Sequence, residues 1–291
     1  MLVDTIPQER NKLRFNVLVS FALAKLKDIE SFIQNAPTET QLMIDSGAFS
    51  VKTVGAEITV ANYVEFIKSL PVRPYGYMTL DVLGNSKKTL DNYIKLKEYG
   101  LDPIPIFTRG AHLSDLDHYR DSKIIALGNI GASKVNYFAW IDRVKLELQT
   151  REIDSTLHLL GKTEASLIHR WSPSSVDASS WNTSRWGLMT LYSGGGKFIS
   201  VNKKDLPSKI KKYPWMVSLI RSHGLSVADC FKETKWRGGS PISEIASAVA
   251  WLRYAEDIEK RYGTKVFLAT MGSKLPYLLD HYQEYVRCHT Q

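Results

Sequence analysis

The chain of 291 residues carries 38 Lys and Arg against 30 Asp and Glu, is 44% hydrophobic and 23% charged, and so has ample apolar content for a packed core. That balance excludes a globally disordered, collagen-like or coiled-coil protein, and at roughly 100–200 residues per domain the length fits one large domain or two small ones. No apolar run reaches the roughly 18–20 residues needed to span a bilayer.

Phe15–Ala24 is apolar but short, lacks a small-residue cleavage site and follows Asp4 and Glu9, so it does not read as a signal peptide. Cys230 and Cys288 are the only cysteines, too few and too far apart for a disulfide framework or a Cys-x-x-Cys metal knot. The expected compartment is a reducing cytoplasm, with no membrane partner, no metal and no cofactor.

Short apolar runs then alternate with helix-like segments. Phe15–Ser20 reads as a strand and Leu26–Gln34 as a helix; Leu42–Asp45 as a strand and Val60–Leu70 as a helix. Tyr77–Asp81 and Pro103–Phe107 are the next strands, followed by helices over Lys87–Tyr99 and Leu113–Arg120. Ile124–Leu127 and Thr156–Leu160 are strands, with helices over Tyr137–Leu148 and Glu164–Arg170. Ser175–Asp177 starts a seventh strand and Leu188–Tyr192 an eighth. Strands separated by helices of this length imply βαβ units and a parallel sheet. Eight of them in one chain imply a single (β/α)8 TIM-type barrel over residues 1–291, with a doubly wound open sheet as the alternative. The last ~90 residues read as a mostly helical, basic C-terminal part in which Ser240–Arg261 is a core-facing helix.

The charge is uneven. From Lys197 to Arg237 there are ten basic residues, including Lys203, Lys204, Lys209, Lys211 and Lys212, against three acidic ones, a net +7 out of a formal excess of +8. Phe198, Tyr213, Trp215, Phe231 and Trp236 are interleaved. Lys and Arg among aromatics suit a phosphate backbone and exposed bases, and equally a solvated surface.

In such a barrel, chemistry sits at the C-terminal ends of the strands. Three carboxylates fall there. Asp45 ends strand two in Asp45-Ser46-Gly47-Ala48-Phe49, Asp81 ends strand three in Met78-Thr79-Leu80-Asp81, and Asp177 lies in Ser175–Trp181. Any one of them alone would read as a helix cap or a loop acceptor. Three at corresponding strand ends point further, because clustered carboxylates repel and raise one another's pKa. Gly47, Gly128, Gly131 and Gly161 follow strand ends, where a missing Cβ lets backbone N–H groups reach a ligand. Gly194-Gly195-Gly196 lacks the Gly-Lys-Ser/Thr of a phosphate loop and reads as a flexible turn, with a substrate loop as the alternative. His158, on a predicted strand, reads as a satisfied core histidine, and Ser46 has no His–acid partner that would make a hydrolase triad.

Asp45–Phe49 resembles the Asp-Ser-Gly-Gly-aromatic motif of the tRNA-guanine transglycosylase superfamily. The strand ending at Asp81, then Ala126-Leu127-Gly128, Leu157–Gly161 and Ser175–Trp181, resembles that superfamily in order as well. The resemblance covers residues 15–200 and is nearest to the short, zinc-free branch of phages and bacterial islands, the 7-deazaguanine DNA transglycosylases. It implies that Asp177 is the nucleophile that attacks C1′, and that Asp45 is the general acid/base for the base proton. It implies that Asp81 reads the guanine Watson–Crick edge and that Phe49 stacks on the base. Ser46, Gly47, Gly128, Leu160 and Gly161 would line the base site. Ala48 stands for the second glycine of the motif, Asn129 follows Gly128 where a glycine is usual, and Thr108 or Arg109 stands where the tRNA enzymes carry a glutamine. The zinc knot of those enzymes has no counterpart here.

The implied activity is exchange of guanine in DNA for a 7-deazaguanine such as 7-cyano-7-deazaguanine, by double displacement. The implied partners are guanine-containing DNA and the free base, in the cytoplasm of a bacterial host if phage-encoded. Trp181 and Trp186 are candidates to wedge or stack during base flipping, and an accessory DNA-opening protein is expected if the enzyme cannot flip a base unaided. The same chemistry on tRNA, a non-catalytic nucleic-acid-binding barrel, and a barrel lyase or isomerase for a small metabolite are the alternatives.

Overall fold

The computed structural model describes residues 16–37, 39–48, 58–129, 137–181, 187–236, 242–276, 278–280 and 282–283. Phe49, Gly131, Trp186, Arg237 and Cys288 lie outside the described residues.

Strand and helix alternate from the start: β1 (Asn16–Ser20), α1 (Leu26–Asn35), β2 (Gln41–Asp45), α2 (Val60–Lys68), β3 (Gly76–Tyr77), α3 (Ser86–Glu98), β4 (Ile106–Thr108). After a 3-10 turn over Leu113–Tyr119 come β5 (Ile124–Gly128), α4 (Tyr137–Thr150), β6 (Thr156–Leu159), α5 (Ala165–Trp171) and β7 (Ser175–Ala178). The chain continues through β8 (Leu188–Tyr192), β9 (Phe198–Asn202), α6 (Leu206–Lys212), α7 (Trp215–Ser222), α8 (Ile242–Tyr262) and β10 (Lys265–Thr270).

Eight strands form one curled, all-parallel sheet in the order β3-β2-β1-β10-β7-β6-β5-β4, consistent with a TIM-like fold. The ladder is open between β3 and β4, where a single parallel bridge joins Met78 to Ile104. There Thr79 N–H donates to Ile104 O at 2.9 Å and Ile104 N–H to Tyr77 O at 2.8 Å. Pro103 and Pro105 have no N–H to give, so regular pairing of β4 starts only at Ile106.

The eighth parallel strand is Lys265–Thr270, not Leu188–Tyr192. Leu188–Tyr192 pairs antiparallel with Phe198–Asn202 in a separate two-stranded sheet. Both segments are short apolar runs, and periodicity alone does not say which layer a buried strand joins. The described residues after 200 are mostly helical, as expected, with β10 inserted after the long α8.

The inner and outer faces of the sheet are both buried, so its strands are nearly continuous apolar runs. Leu18, Met43, Met78, Ile104, Ile106, Ala126 and Phe267 form the cluster inside the curl. Their neighbours Val17, Val19, Ile44, Ile125, Leu127, Val176 and Leu268 face the helices with Ile29, Phe32, Tyr63 and Leu148.

A second apolar cluster joins β8, β9, α6 and α7: Met189, Leu191, Val201, Leu206, Met216 and Ile220 pack with Ile242 and Ala246 of α8. From Ala248 to Ile258 the same helix belongs to the main core. Its 21 residues span about 30 Å at ~1.5 Å each, enough to serve both. The inserted module lies on the side where strands end. Tyr254 of α8 donates to Thr163 O in the loop after β6. Gly196, at φ +77°, leaves so little room beside α5 that a Cβ would sit 2.6 Å from Ala165 Cβ. No helix among the described residues is long and apolar enough to cross a membrane.

Phe267 is fully buried inside the curl, whereas Phe231 is 46% exposed. Phe267→Ala is expected to cost about 3–5 kcal/mol, read as a fall in the urea midpoint or loss of soluble protein. Phe231→Ala is expected to leave the midpoint in place.

Candidate active site

Side chains two apart on a strand share a face, about 6.6 Å apart along it. Met43 faces the inner cluster, so Asp45 faces the same way one level nearer the strand ends. Ser20 is its register partner on β1. Gly47 N–H donates back to Asp45 Oδ2 at 3.0 Å. That turn needs glycine: φ is +78°, and a Cβ would meet Ser20 Oγ and Ala22 Cβ at 2.6 Å each. Burial, then the charge of Asp177, pushes the Asp45 carboxyl up to about 6; the Gly47 N–H pulls the other way, and Asp81 adds a smaller upward push.

Asp81 follows the bridge at Met78. Its Oδ1 accepts from Thr89 Oγ1 at 2.8 Å, and burial raises its carboxyl above the ordinary aspartate value in spite of that bond. Thr89 stands in the first turns of α3, whose cap Asn85 accepts from Lys88 N–H at 3.0 Å. Asp81 N–H points at Ser46 Oγ at 3.4 Å. Ser46 is 1% exposed, so it ties the β2 and β3 loops together and presents no accessible hydroxyl.

Asp177 sits in register with Phe267 of β10 and is 9% exposed. Its Oδ1 accepts from Gly161 N–H at 2.8 Å and lies 3.3 Å from His158 Nε2. Gly161, at φ +65°, is in the left-handed region that turns this N–H toward the carboxylate. His158 Nδ1 in turn lies 2.8 Å from Ser175 Oγ. His158 is indeed a satisfied buried histidine, but what satisfies it is Asp177. Sequence reasoning missed that link, because it depends on the His158–Ser175 register of β6 and β7.

The structure therefore brings Asp45, Asp81 and Asp177 to one end of the sheet, near enough for the other two to raise Asp45. Gly128 and Leu160 form wall beside them: a Cβ on Gly128 would lie 3.0 Å from Ile106 Cγ2, 3.1 Å from Thr108 Cγ2 and 3.7 Å from Leu160 Cδ1. Asn129 continues from Gly128 in a left-handed conformation, φ 58°. Arg109, just beyond β4, has a buried Nη1 with no hydrogen-bond partner among the described residues. Trp181 is 1% exposed and donates its Nε1–H to Ala269 O at 2.7 Å. It is a core side chain and leaves no free ring to wedge into a stack. Among the described residues, no three His, Cys, Asp or Glu side chains are grouped to hold a metal ion.

The basic segment divides by partner. Lys203 pairs with Glu233, Lys232 with Asp229 at 2.7 Å, and Lys209 Nζ donates to Ser200 O at 3.1 Å. Lys197, Lys204, Lys211 and Lys212 are exposed and have no acidic partner among the described residues. Lys212 Nζ lies 5.3 Å from the centre of the Tyr213 ring. Tyr213 and Trp215, 40% and 51% exposed, stand 6.0 Å apart.

Compared with protein-family models and with curated proteins, the chain matches none.

A carboxyl raised on folding binds its proton more tightly in the native state. Its contribution is therefore most favourable below its unfolded value and is lost as pH rises from about 4 through about 6. Asp45→Asn removes that burden while keeping an acceptor for Gly47 N–H. It is expected to raise stability by about 1–3 kcal/mol at pH 8 and by little at pH 4, measured by urea unfolding at both.

Proposed function

We propose that this chain is a guanine transglycosylase that acts on DNA and inserts a 7-deazaguanine, on a TIM-type barrel whose eighth strand is β10. The observation that carries the reading is the set of three carboxylates at the ends of β2, β3 and β7, each in a different hydrogen-bonded setting. The resemblance of Asp45–Phe49 and Ser175–Trp181 to the transglycosylase motifs supports it.

In the first half-reaction the Asp177 carboxylate attacks C1′. The C1′–N9 bond breaks, its electron pair leaves with guanine, and the proton of Asp45 goes to the departing base. The product is a glycosyl ester on Asp177, as in retaining glycoside hydrolysis. In the second half the incoming base gives its proton to Asp45 and attacks C1′, and the ester electron pair returns to Asp177. Nothing is oxidised or reduced, and both acids end as they began. A carboxyl near 6 suits Asp45, which must hold the proton in one half and accept it in the other. Asp81, ionised against the N1–H and N2–H2 donors of guanine, supplies base selection. The orphaned Arg109 donor is suited to an acceptor on the base or to a phosphate.

Reaching C1′ chemistry inside a duplex requires extruding the nucleotide, at a cost of a few kcal/mol. The exposed Lys204, Lys211 and Lys212 are suited to track the backbone, and the exposed Tyr213 and Trp215 rings, the first beside Lys212, to stack bases.

Purified protein with a labelled 7-deazaguanine is expected to label guanine-containing DNA, and Asp177→Asn is expected to abolish the label while leaving DNA binding intact. Label in tRNA alone would overturn the DNA assignment. Label in neither, with or without a DNA-opening partner, would overturn the enzymatic reading in favour of a binding barrel. Independently, Lys211→Ala with Lys212→Ala is expected to flatten the log–log salt dependence of DNA affinity by about 1–2 units, measured by fluorescence anisotropy across salt concentrations. An unchanged slope would show that the phosphates run elsewhere.

A further inference from the structure

Ser175, His158 and Asp177 form one hydrogen-bonded row, with 2.8 Å between Ser175 Oγ and His158 Nδ1 and 3.3 Å between His158 Nε2 and Asp177 Oδ1. The residue types are those of a nucleophilic serine triad, but the row runs the other way. In such a triad the serine bonds Nε2 and the acid bonds Nδ1, and the serine is the member that meets substrate. Here the serine bonds Nδ1 and the acid bonds Nε2. Ser175 and His158 are both fully buried, and only Asp177, two residues nearer the strand ends, retains exposure, at 9%. The row activates no serine. Its output is an oriented carboxylate.

We propose that His158 is a positioning residue that fixes which oxygen of Asp177 reacts. The inference rests on the reading of Asp177 as the nucleophile. A carboxylate that attacks C1′ carries no proton, so its bond to His158 is donated from Nε2; in the neutral imidazole Nδ1 is then an acceptor for the Ser175 hydroxyl. Ser175, which also meets the Tyr75 hydroxyl, selects the Nε2–H tautomer when its own proton is given to Nδ1. Oδ1 receives two donors, His158 Nε2–H and Gly161 N–H. Oδ2 receives none among the described residues and is the atom that bonds C1′. Oδ1 becomes the carbonyl oxygen of the ester and keeps both donors. When the incoming base displaces the ester, the same two donors meet the returning negative charge. Holding the carboxylate this way spares the rotational search before attack and supports its departure afterwards.

The test has two arms on the full-length chain. Nitrogen-15 histidine NMR is expected to show His158 as the Nε2–H tautomer, with the preference relaxed in Ser175→Ala. An Nδ1–H tautomer would overturn the proposal without reference to activity. Single-turnover formation and breakdown of the covalent enzyme–nucleic acid adduct is the second arm. His158→Leu is expected to slow both steps by about 10²-fold with nucleic-acid affinity unchanged, and His158→Gln, which keeps an N–H donor near the Nε2 position, to recover most of the loss. Equal impairment of Leu and Gln variants, or wild-type rates in His158→Leu, would reduce His158 to a packing role and overturn the proposal. If wild-type protein forms no adduct on either nucleic acid, the transglycosylase reading falls and takes the Oδ2 assignment with it. The tautomer measurement then decides the hydrogen-bonded row alone.

Discussion

Parallel pairing in register makes alternate residues of neighbouring strands share a level inside the curl. Once Leu18 stands opposite Met43 and Phe267 opposite Asp177, the next position toward the strand ends is set for every strand. The apolar plug of Leu18, Met43, Met78, Ile106, Ala126 and Phe267 therefore dictates where the polar groups lie. It also keeps water from below, so the carboxylates above it are solvated from one side only. The raised proton affinity of Asp45 and Asp81 comes first from that burial, and at Asp45 the charges of Asp177 and Asp81 add to it.

Holding carboxyl groups there is costly, and the fold answers each with a different donor. Asp45 has a backbone N–H two residues on, from a glycine no other residue could replace without a clash. Asp81 has a helix-borne threonine, and Asp177 has a glycine N–H and a histidine. The difference in donors separates their settings: Asp45 is pushed up to about 6, Asp81 is raised in spite of its threonine donor, and Asp177 takes both of its donors at one oxygen.

Much of this was legible in the sequence, and what was not has a physical cause. Asp45, Asp81 and Asp177 stood out because each directly follows an apolar run, and a strand that ends in a carboxylate is a local signal. The strands before residue 180 were legible for the same reason. The eighth was not, because LMTLY and KVFLAT look alike as strings, and only tertiary context sends one to a hairpin and the other between β1 and β7. Ser46 reads as a ligand contact in the sequence, and the structure adds a link to Asp81 N–H that the sequence does not show. His158 looked inert because its partner is defined by strand register, which no single segment contains. The basic segment reads as uniform in sequence, yet Glu233 and Asp229 pair with Lys203 and Lys232 and offset their charge.

The place of β10 has a consequence for biosynthesis. Among the described strands it is the last in chain order, yet it lies in the middle of the sheet, between β1 and β7. Until residues 265–270 emerge, β1 and β7 each present an unpaired edge of backbone donors and acceptors, the kind of surface that templates aggregation. The module between β7 and α8 has its own apolar cluster and is complete in the nascent chain before that strand exists. A chain cut short anywhere ahead of Lys265 would retain most of its apolar residues and lack the one strand that shields both edges, making it a natural substrate for chaperones and proteases.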